Sequence, residues 1–396
     1  MVTLTKEQER ALERILKWFR AYKDDPYSVP QTLSLGGYAG TGKTTLIAKL
    51  REEINEPLAF LSLTGKAVAQ IKNKIPRNHT VSYISTIHSF IYDAIINNKG
   101  EIIGWRKKEM EDNISSNSIE DKIPYVSLII NDEASMTSSD LNKDLLSYNK
   151  PILYVGDHGQ LPPIRSKTNL MENPDIRLET PHRAALNNPI TKLATMIRRE
   201  EIEDIPVGYL DQSKDGYVSS IGALTKDIES LLMEGGKEVL AIVGMHYLRV
   251  KLNKAILKGL CKSTKEPDVG VRLVCLRNDR RLGIYNGMFG TVVRKESKDS
   301  DNFLLTINLD DNDRNITLPV AKYPFGKKYP KPPTSAFWKY GSLWDFGYFI
   351  TCHKAQGSEA SSVVVIGEGF GDKEMKKRWM YTAITRARKN LYLVKK

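Results

Sequence analysis

Gly37-Tyr38-Ala39-Gly40-Thr41-Gly42-Lys43-Thr44 decides how the rest of this chain is read. Its glycines, spacer and Gly-Lys-Thr ending fit a phosphate-binding loop at every position. Thr32-Leu33-Ser34-Leu35 before it reads as a buried strand, and Thr45-Leu46-Ile47-Ala48-Lys49-Leu50 after it as a helix. That strand–loop–helix context is what the motif requires. Gly37, Gly40 and Gly42 let backbone N–H groups curl around a β-phosphate, and the helix N-terminus adds its positive dipole end. Lys43 reaches the β- and γ-phosphates, and the Thr44 hydroxyl ligates Mg²⁺. With Ala39, Thr41 and Thr45 completing the loop, the stretch implies a nucleoside triphosphate.

The charge balance fits a second, polyanionic partner, and equally a generically basic soluble protein. Lys and Arg number 59 against 47 Asp and Glu, a formal charge of +12. A chain of 396 residues should hold two or more domains. Its three cysteines, Cys261, Cys275 and Cys352, have no metal-ligand spacing and read as reduced thiols. The first residues lack the apolar run of a signal peptide, and no apolar run reaches membrane-spanning length. We expect a soluble cytoplasmic protein, from a bacterium or a phage-infected cell.

An amphipathic helix from about Lys6 to Tyr22 carries Ala11, Leu12, Ile15, Leu16 and Phe19 on one face. Apolar runs at 58–62, 126–130 and 152–155 then alternate with helical stretches, which predicts a parallel sheet covered on both faces. Between Tyr92 and Lys122 the alternation breaks, and a hairpin is predicted from Asp93 to Trp105 around Asn97-Asn98-Lys99-Gly100. After Pro189 a helix is expected through Arg199, then a polar link to about Asp215. A second α/β unit starts at Val239-Leu240-Ala241-Ile242-Val243. From about Val269 to Trp344 short apolar runs broken by Asn286-Gly287 and by 310–313 suggest a small barrel. Helical periodicity from Lys376 to Arg388 and a strand at 391–394 close the chain. The segment Tyr323 to Pro333 is basic, aromatic and proline-stiffened: a surface loop, with nucleic-acid contact left open.

Two further turns carry chemistry. Asp132-Glu133 follows the apolar strand 128–130, the strand end where open α/β sheets keep their sites. Asp132 is placed to share the Mg²⁺ with Thr44, and Glu133 to polarise the attacking water of a phosphoryl transfer. Gly156-Asp157-His158-Gly159-Gln160-Leu161-Pro162-Pro163 follows the strand 152–155, and Gln160 is positioned to sense a γ-phosphate.

The order of these motifs, with Leu4 to Gln8, Thr64-Gly65-Lys66-Ala67, Thr86-Ile87-His88, Pro181-His182-Arg183, Tyr285-Asn286-Gly287, Thr351 to Glu359 and Tyr381 to Ala387, resembles superfamily 1 DNA helicases of the Dda/RecD-like branch. The resemblance runs over nearly the whole chain. It implies two RecA-like α/β domains: 1A (1–91 and 123–185) with a pin-hairpin insertion 1B (92–122), and 2A (186–268 and 346–396) with an SH3-like β-barrel insertion 2B (269–345). It implies ATP with Mg²⁺, adenine read by Gln8, ribose contact by Glu359 beside Gly357, and arginine fingers Arg183 and Arg386 closing on the γ-phosphoryl group from the second domain. Thr64, Lys66, Thr86, His88, Tyr285, Asn286, His353 and Lys354 are implied as single-strand contacts, and His182 as a candidate to stack on the adenine of ATP. Asn286-Gly287 has a second reading as an ordinary hairpin turn. Leu63 and Ala184 depart from the family pattern, which commonly has proline and a polar residue there. The implied activity is an ATP-driven DNA helicase and single-strand translocase moving 5′ to 3′. It would act at duplex junctions as a monomer, alongside replication or recombination proteins. An RNA helicase of the same superfamily and a nucleotide-gated binding module without unwinding remain the alternatives.

Overall fold

A computed structural model describes residues 4–395 apart from 76–81, 97–101, 112–121, 164–168, 182–186, 203, 280–281, 311–312, 332–339 and 368–369. The chain divides into two units, Met1–Ala185 and Leu186–Lys396.

The first unit opens with α1 (Lys6–Asp24), where Thr5 and Gln8 form a reciprocal capping box and Ala11, Leu12, Ile15 and Phe19 make a buried stripe. Next come β1 (Thr32–Gly37), α2 (Lys43–Glu53), β2 (Leu58–Ser62), α3 (Gly65–Lys74), β3 (Ser82–Thr86) and α4 (Ile87–Ile91). An antiparallel hairpin, β4 (Tyr92–Ile96) with β5 (Ile102–Lys107), and a short parallel pair, β6 (Glu109–Met110) with β7 (Lys122–Ile123), lie outside the main sheet. The chain returns through β8 (Leu128–Asp132), α5 (Ser139–Leu146), β9 (Ile152–Gly156) and β10 (Ile176–Leu178).

Six strands of this unit pair in the order β10-β1-β9-β8-β2-β3, every neighbour parallel. Because side chains alternate along a strand, each strand feeds both faces. Leu33, Leu35, Phe60, Ile130 and Val155 pack against Ile15 and Phe19 of α1 and Leu46 and Leu50 of α2. Ala59, Leu61, Ile129 and Tyr154 pack on the opposite face against Ile87 and Phe90 of α4 and Leu141 and Leu145 of α5.

The second unit runs α6 (Pro189–Arg198), β11 (Leu210–Ser213), β12 (Gly216–Ile221), α7 (Lys226–Glu234), β13 (Val239–Val243) and α8 (His246–Gly259). It continues with β14 (Arg272–Cys275), β15 (Phe289–Ser297), β16 (Asn302–Leu309), β17 (Asn315–Ala321), β18 (Trp344–Phe346) and β19 (Phe349–Thr351). The last elements are α9 (Cys352–Ala355), β20 (Ala360–Ile366), α10 (Lys373–Ile384) and β21 (Ala387–Val394). Its six-stranded sheet has the order β11-β12-β21-β20-β13-β19, parallel except for the β11–β12 hairpin. The remaining five strands form an antiparallel sheet, β17-β16-β15-β14-β18. A bridge from Val320 in β17 to Ser342, just ahead of β18, brings its two edges together.

Three local expectations shift. The link to Asp215 contains β11, which forms a hairpin with β12 directly after it, and β12 pairs with β21. The final helix ends at Ile384 rather than near Arg388, and Ala387 already pairs with Ala360. Pairing of β21 along β20 overrides the helical periodicity there. The buried strand expected from Val126 is described as Leu128–Asp132, which carries the first carboxylate into the sheet.

One buried ion pair joins three parts of the second unit. Asp345 is 1% exposed and accepts from the Arg249 guanidinium at 2.6 Å, from Gly326 N–H at 2.9 Å and from Phe346 N–H at 2.8 Å. Arg249, itself 8% exposed, also donates to the Lys327 carbonyl at 2.9 Å. Removing one partner strands the other as a buried charge. Asp345→Ala should therefore lose about 3–5 kcal/mol of stability, seen as a lower urea midpoint by tryptophan fluorescence, with Asp345→Asn falling between it and the parent.

Candidate functional site

Three strands set the site. β1, β9 and β8 are neighbours, so the turns after their C-terminal ends share one stretch of sheet edge, where α/β sheets place ligands. The turn after β1 is the glycine loop. Gly40 and Gly42 have φ of 77° and 78°, left-handed values that favour glycine. A Cβ on Gly37 would stand 2.7 Å from Thr41 Oγ1 and 2.9 Å from Lys43 Cγ. Lys43 Nζ donates to the carbonyls of Gly37 at 2.5 Å and Tyr38 at 3.2 Å, so the ammonium is held against its own loop. Thr44 is exposed in the first turn of α2, and Thr45 and Ala39 are half-buried.

Gln8 is 1% exposed, and its amide is bonded to backbone on both sides. Nε2 donates to Thr41 O at 3.1 Å and Gly42 O at 3.3 Å, while Oε1 accepts from Thr5 N–H at 2.9 Å. In this arrangement it ties α1 to the loop.

The turn after β8 is strained. Glu133 sits at φ 54°, ψ 39°, a left-handed conformation that costs a non-glycine residue about 1–2 kcal/mol. It is braced from both sides: Glu133 N–H donates to Asp132 Oδ1 at 3.0 Å, and Asn131 Nδ2 donates to Thr137 Oγ1 at 3.0 Å. Both carboxylates remain half-buried. After β9, Asp157 closes a turn by accepting from Gly159 N–H at 2.9 Å, and Gln160 is buried beneath it. His158 lies against the Tyr38 ring, 4.0 Å between centroids, and burial pushes its imidazole down to about 4.

The same edge continues through β2 and β3, where the single-strand candidates stand. Thr64 caps α3 by accepting from Ala67 N–H at 3.2 Å, and Thr86, 5% exposed, caps α4 by accepting from Ser89 N–H at 3.2 Å. Both hydroxyls thus already serve as helix caps. His88 is half-buried beside Tyr92, 5.9 Å between ring centroids. The Lys66 side chain, His182 and Arg183 lie outside the described residues.

In the second unit, Val243 of β13 pairs with Thr351 of β19, so the turn starting at Cys352 leaves the sheet next to the start of α8. His353 stacks on Phe370 at 5.6 Å, and burial pushes the Lys354 ammonium down to about 8. Gly357 takes φ 71° ahead of the exposed Glu359. Tyr285 to Met288 is a tight turn, Met288 N–H to Tyr285 O at 3.0 Å with Gly287 at φ 89°, and it leaves Asn286 exposed. Arg386 is 5% exposed; Nε donates to Thr382 O at 3.0 Å and Nη2 to Thr385 Oγ1 at 3.1 Å.

Residues 26–166 match the AAA domain family, and residues 346–394 match the UvrD-like helicase C-terminal domain. The chain is 26% identical over 384 residues to the ATP-dependent RecD2 DNA helicase of Deinococcus radiodurans, covering 90% of this chain and 46% of that protein. It is 22% identical over 443 residues to the RecBCD enzyme subunit RecD of Buchnera aphidicola, covering 90% and 69%. In fold it is similar to a Pif1 helicase from Bacteroides solved in complex with ADP-AlF3 and ssDNA, with a TM-score of 0.57 at 18% identity over 99% of this chain and 92% of that one. These likenesses support the resemblance to superfamily 1 helicases of the Dda/RecD-like branch. It spans about half the length of the Deinococcus relative.

Two residues gain a place that no local pattern revealed. The Glu7 carboxylate accepts from Glu179 N–H at 3.0 Å and Thr180 N–H at 3.2 Å, pinning the first turn of α1 to the segment that leads to Pro181. A cleft of about 550 Å³ opens beside it, lined by Lys6, Arg10, Arg14, Arg177 and Thr180. His158, which reads as an ordinary turn residue, packs on the glycine loop through Tyr38. Its imidazole takes up a proton near 6.5 when unfolded but only near 4 here. The unfolded chain therefore binds more protons between those values, and stability must rise with pH across that window. His158→Gln should flatten this limb. The urea midpoint of the variant should fall less between pH 7 and pH 5 than that of the parent.

Proposed function

We propose that this chain is an ATP-driven motor that moves along single-stranded DNA, 5′ to 3′, and separates duplex at a junction. One observation carries the reading. The turns suited to a nucleotide follow β1, β9 and β8, and the candidate strand contacts follow β2, the other neighbour of β8, and β3 beyond it. Two ligands bound along one edge of one rigid sheet can be coupled through it, since a shift at one strand end is passed to the next through packed backbone. ATP would be held by Gly37, Ala39, Gly40, Thr41, Gly42 and Lys43, with Thr44 and Asp132 on the Mg²⁺. The left-handed glycines and the crowded Gly37 fit a backbone wrapped around phosphate. The metal would neutralise charge on the transferring phosphoryl group.

Glu133 takes the general-base role. Its strained backbone turns the side chain sharply out of β8, and such strain gathers at working residues. Gln160 would report the γ-phosphate, and Arg183 and Arg386 would meet the charge on its oxygens. Gln8 is assigned to adenine; to read the base it must give up one of its present backbone bonds. Glu359 beside Gly357 is assigned to ribose. Thr64, Lys66, Thr86, His88, Tyr285, Asn286, His353 and Lys354 would follow the sugar–phosphate backbone. The β4–β5 hairpin, with Ile95 43% and Trp105 51% exposed, is the wedge candidate at the junction.

Strand displacement on matched DNA and RNA duplexes with 5′ or 3′ overhangs tests the reading. We expect unwinding of the 5′-tailed DNA alone; preference for RNA or for the 3′ tail would replace the reading, and no displacement on any substrate would reduce the chain to a binding module. Glu133→Gln should keep nucleotide and DNA binding but lose on the order of 10²–10⁴-fold in ATP turnover, measured by phosphate release with saturating oligonucleotide. Turnover near the parental rate would remove Glu133 from the base role.

A further inference from the structure

We propose that His246, Tyr247, Lys328 and Tyr329 form a base-stacking platform for single-stranded nucleic acid, extending the strand grip of His353 and Lys354 across the second unit. The inference rests on the reading of the chain as a single-strand motor and adds a site to it. It begins with exposure. Met245 is 42%, Tyr247 53% and Tyr329 64% exposed, large apolar side chains that packing within the unit gives no reason to keep in solvent.

These residues come from separate parts of the chain. Met245-His246-Tyr247 leave β13, and Cys352-His353-Lys354 leave β19, from neighbouring strand ends paired through Val243 and Thr351. Tyr329 arrives from the loop after β17, and its ring lies 5.2 Å from the His246 ring at an interplanar angle of 58°. Lys328 Nζ stands 5.2 Å from the Tyr329 centroid. His353 stacks on Phe370 at 27°.

The loop that presents Tyr329 is anchored at its root. Phe325 is 5% exposed and packs against Phe303 and Phe346; Gly326 N–H is bonded to Asp345, and the Lys327 carbonyl accepts from Arg249. Gly326 itself turns the chain at φ 68°. Lys328 and Tyr329 are therefore held outward on a fixed base, and little conformational entropy is lost when a ligand docks on them. The charged groups acting on His246 are Arg249, Lys328 and Lys354, all cationic, with Asp345 engaged by Arg249. Exposed rings among cations suit a polymer that offers a base to stack and a phosphate to neutralise.

The test compares the parent, Tyr329→Ala and Tyr329→Phe by fluorescence anisotropy on an oligo-dT strand and on a strand of equal length made of abasic sites, with circular dichroism confirming the fold of each. One stacked base corresponds to roughly a 5- to 150-fold change in affinity. Tyr329→Ala should weaken dT binding by that range, Tyr329→Phe should restore it, and the abasic strand should bind all three alike. Equal dT affinity for the parent and Tyr329→Ala overturns the platform while leaving the motor reading intact. Equal losses on both strands overturn stacking in favour of a charge effect. A parent that binds neither strand overturns the motor reading and the platform with it.

Discussion

Parallel pairing of β1, β9 and β8 is the constraint on which the candidate nucleotide site depends. In a parallel sheet every strand runs the same way, so every following turn emerges on one edge. The pairings Leu35 with Val155 and Ile130 with Leu153 place the glycine loop, the Gly156–Gln160 turn and the Asp132–Glu133 turn side by side, although they lie far apart in sequence. Burial holds the register: Leu35, Leu153 and Val155 are fully buried and Ile130 nearly so, and a one-residue slip would exchange their faces.

Around that edge, side chains spend much of their bonding capacity on the protein itself. Gln8 braces the glycine loop, Lys43 is drawn onto its carbonyls, Thr64 and Thr86 cap helices, and Arg386 is tied to the end of α10. Each interaction orders a group before a ligand arrives, which lowers the entropy lost on binding. A ligand that claims Lys43 or Gln8 must break such a bond, and so changes the loop as it binds. The strain at Glu133 belongs to the same economy, because a left-handed carboxylate persists only where the surrounding structure holds it.

The second unit uses a different device. Its barrel-like sheet and its parallel sheet share one apolar cluster that runs from Val243 and Leu257 to Leu273, Leu305 and Trp344. Asp345 and Arg249 stitch that cluster to the loop carrying Lys328 and Tyr329. The basic, aromatic character of that loop is plain in the sequence, but whether its rings pack inward or stand in solvent is not. Phe325 goes in and Tyr329 goes out, and only the packing around Phe346 decides which.

Much of the candidate site was legible in the sequence because the chemistry it proposes is local. The glycine loop must be contiguous to wrap a phosphate, and Asp132-Glu133 must end a strand, so both announce themselves in short stretches flanked by apolar runs. The two α/β units followed from the same alternation of strands and helices. What depended on distant residues stayed hidden. Glu7 meets Glu179 and Thr180, and His158 meets Tyr38, through sheet order that no local pattern encodes. β12 joins the sheet and the last helix stops at Ile384 because β21 must pair with β20 and β12. Residue type and local spacing marked which groups could do chemistry; folding settled which of them meet, because strand pairing and burial act between residues that the chain keeps far apart.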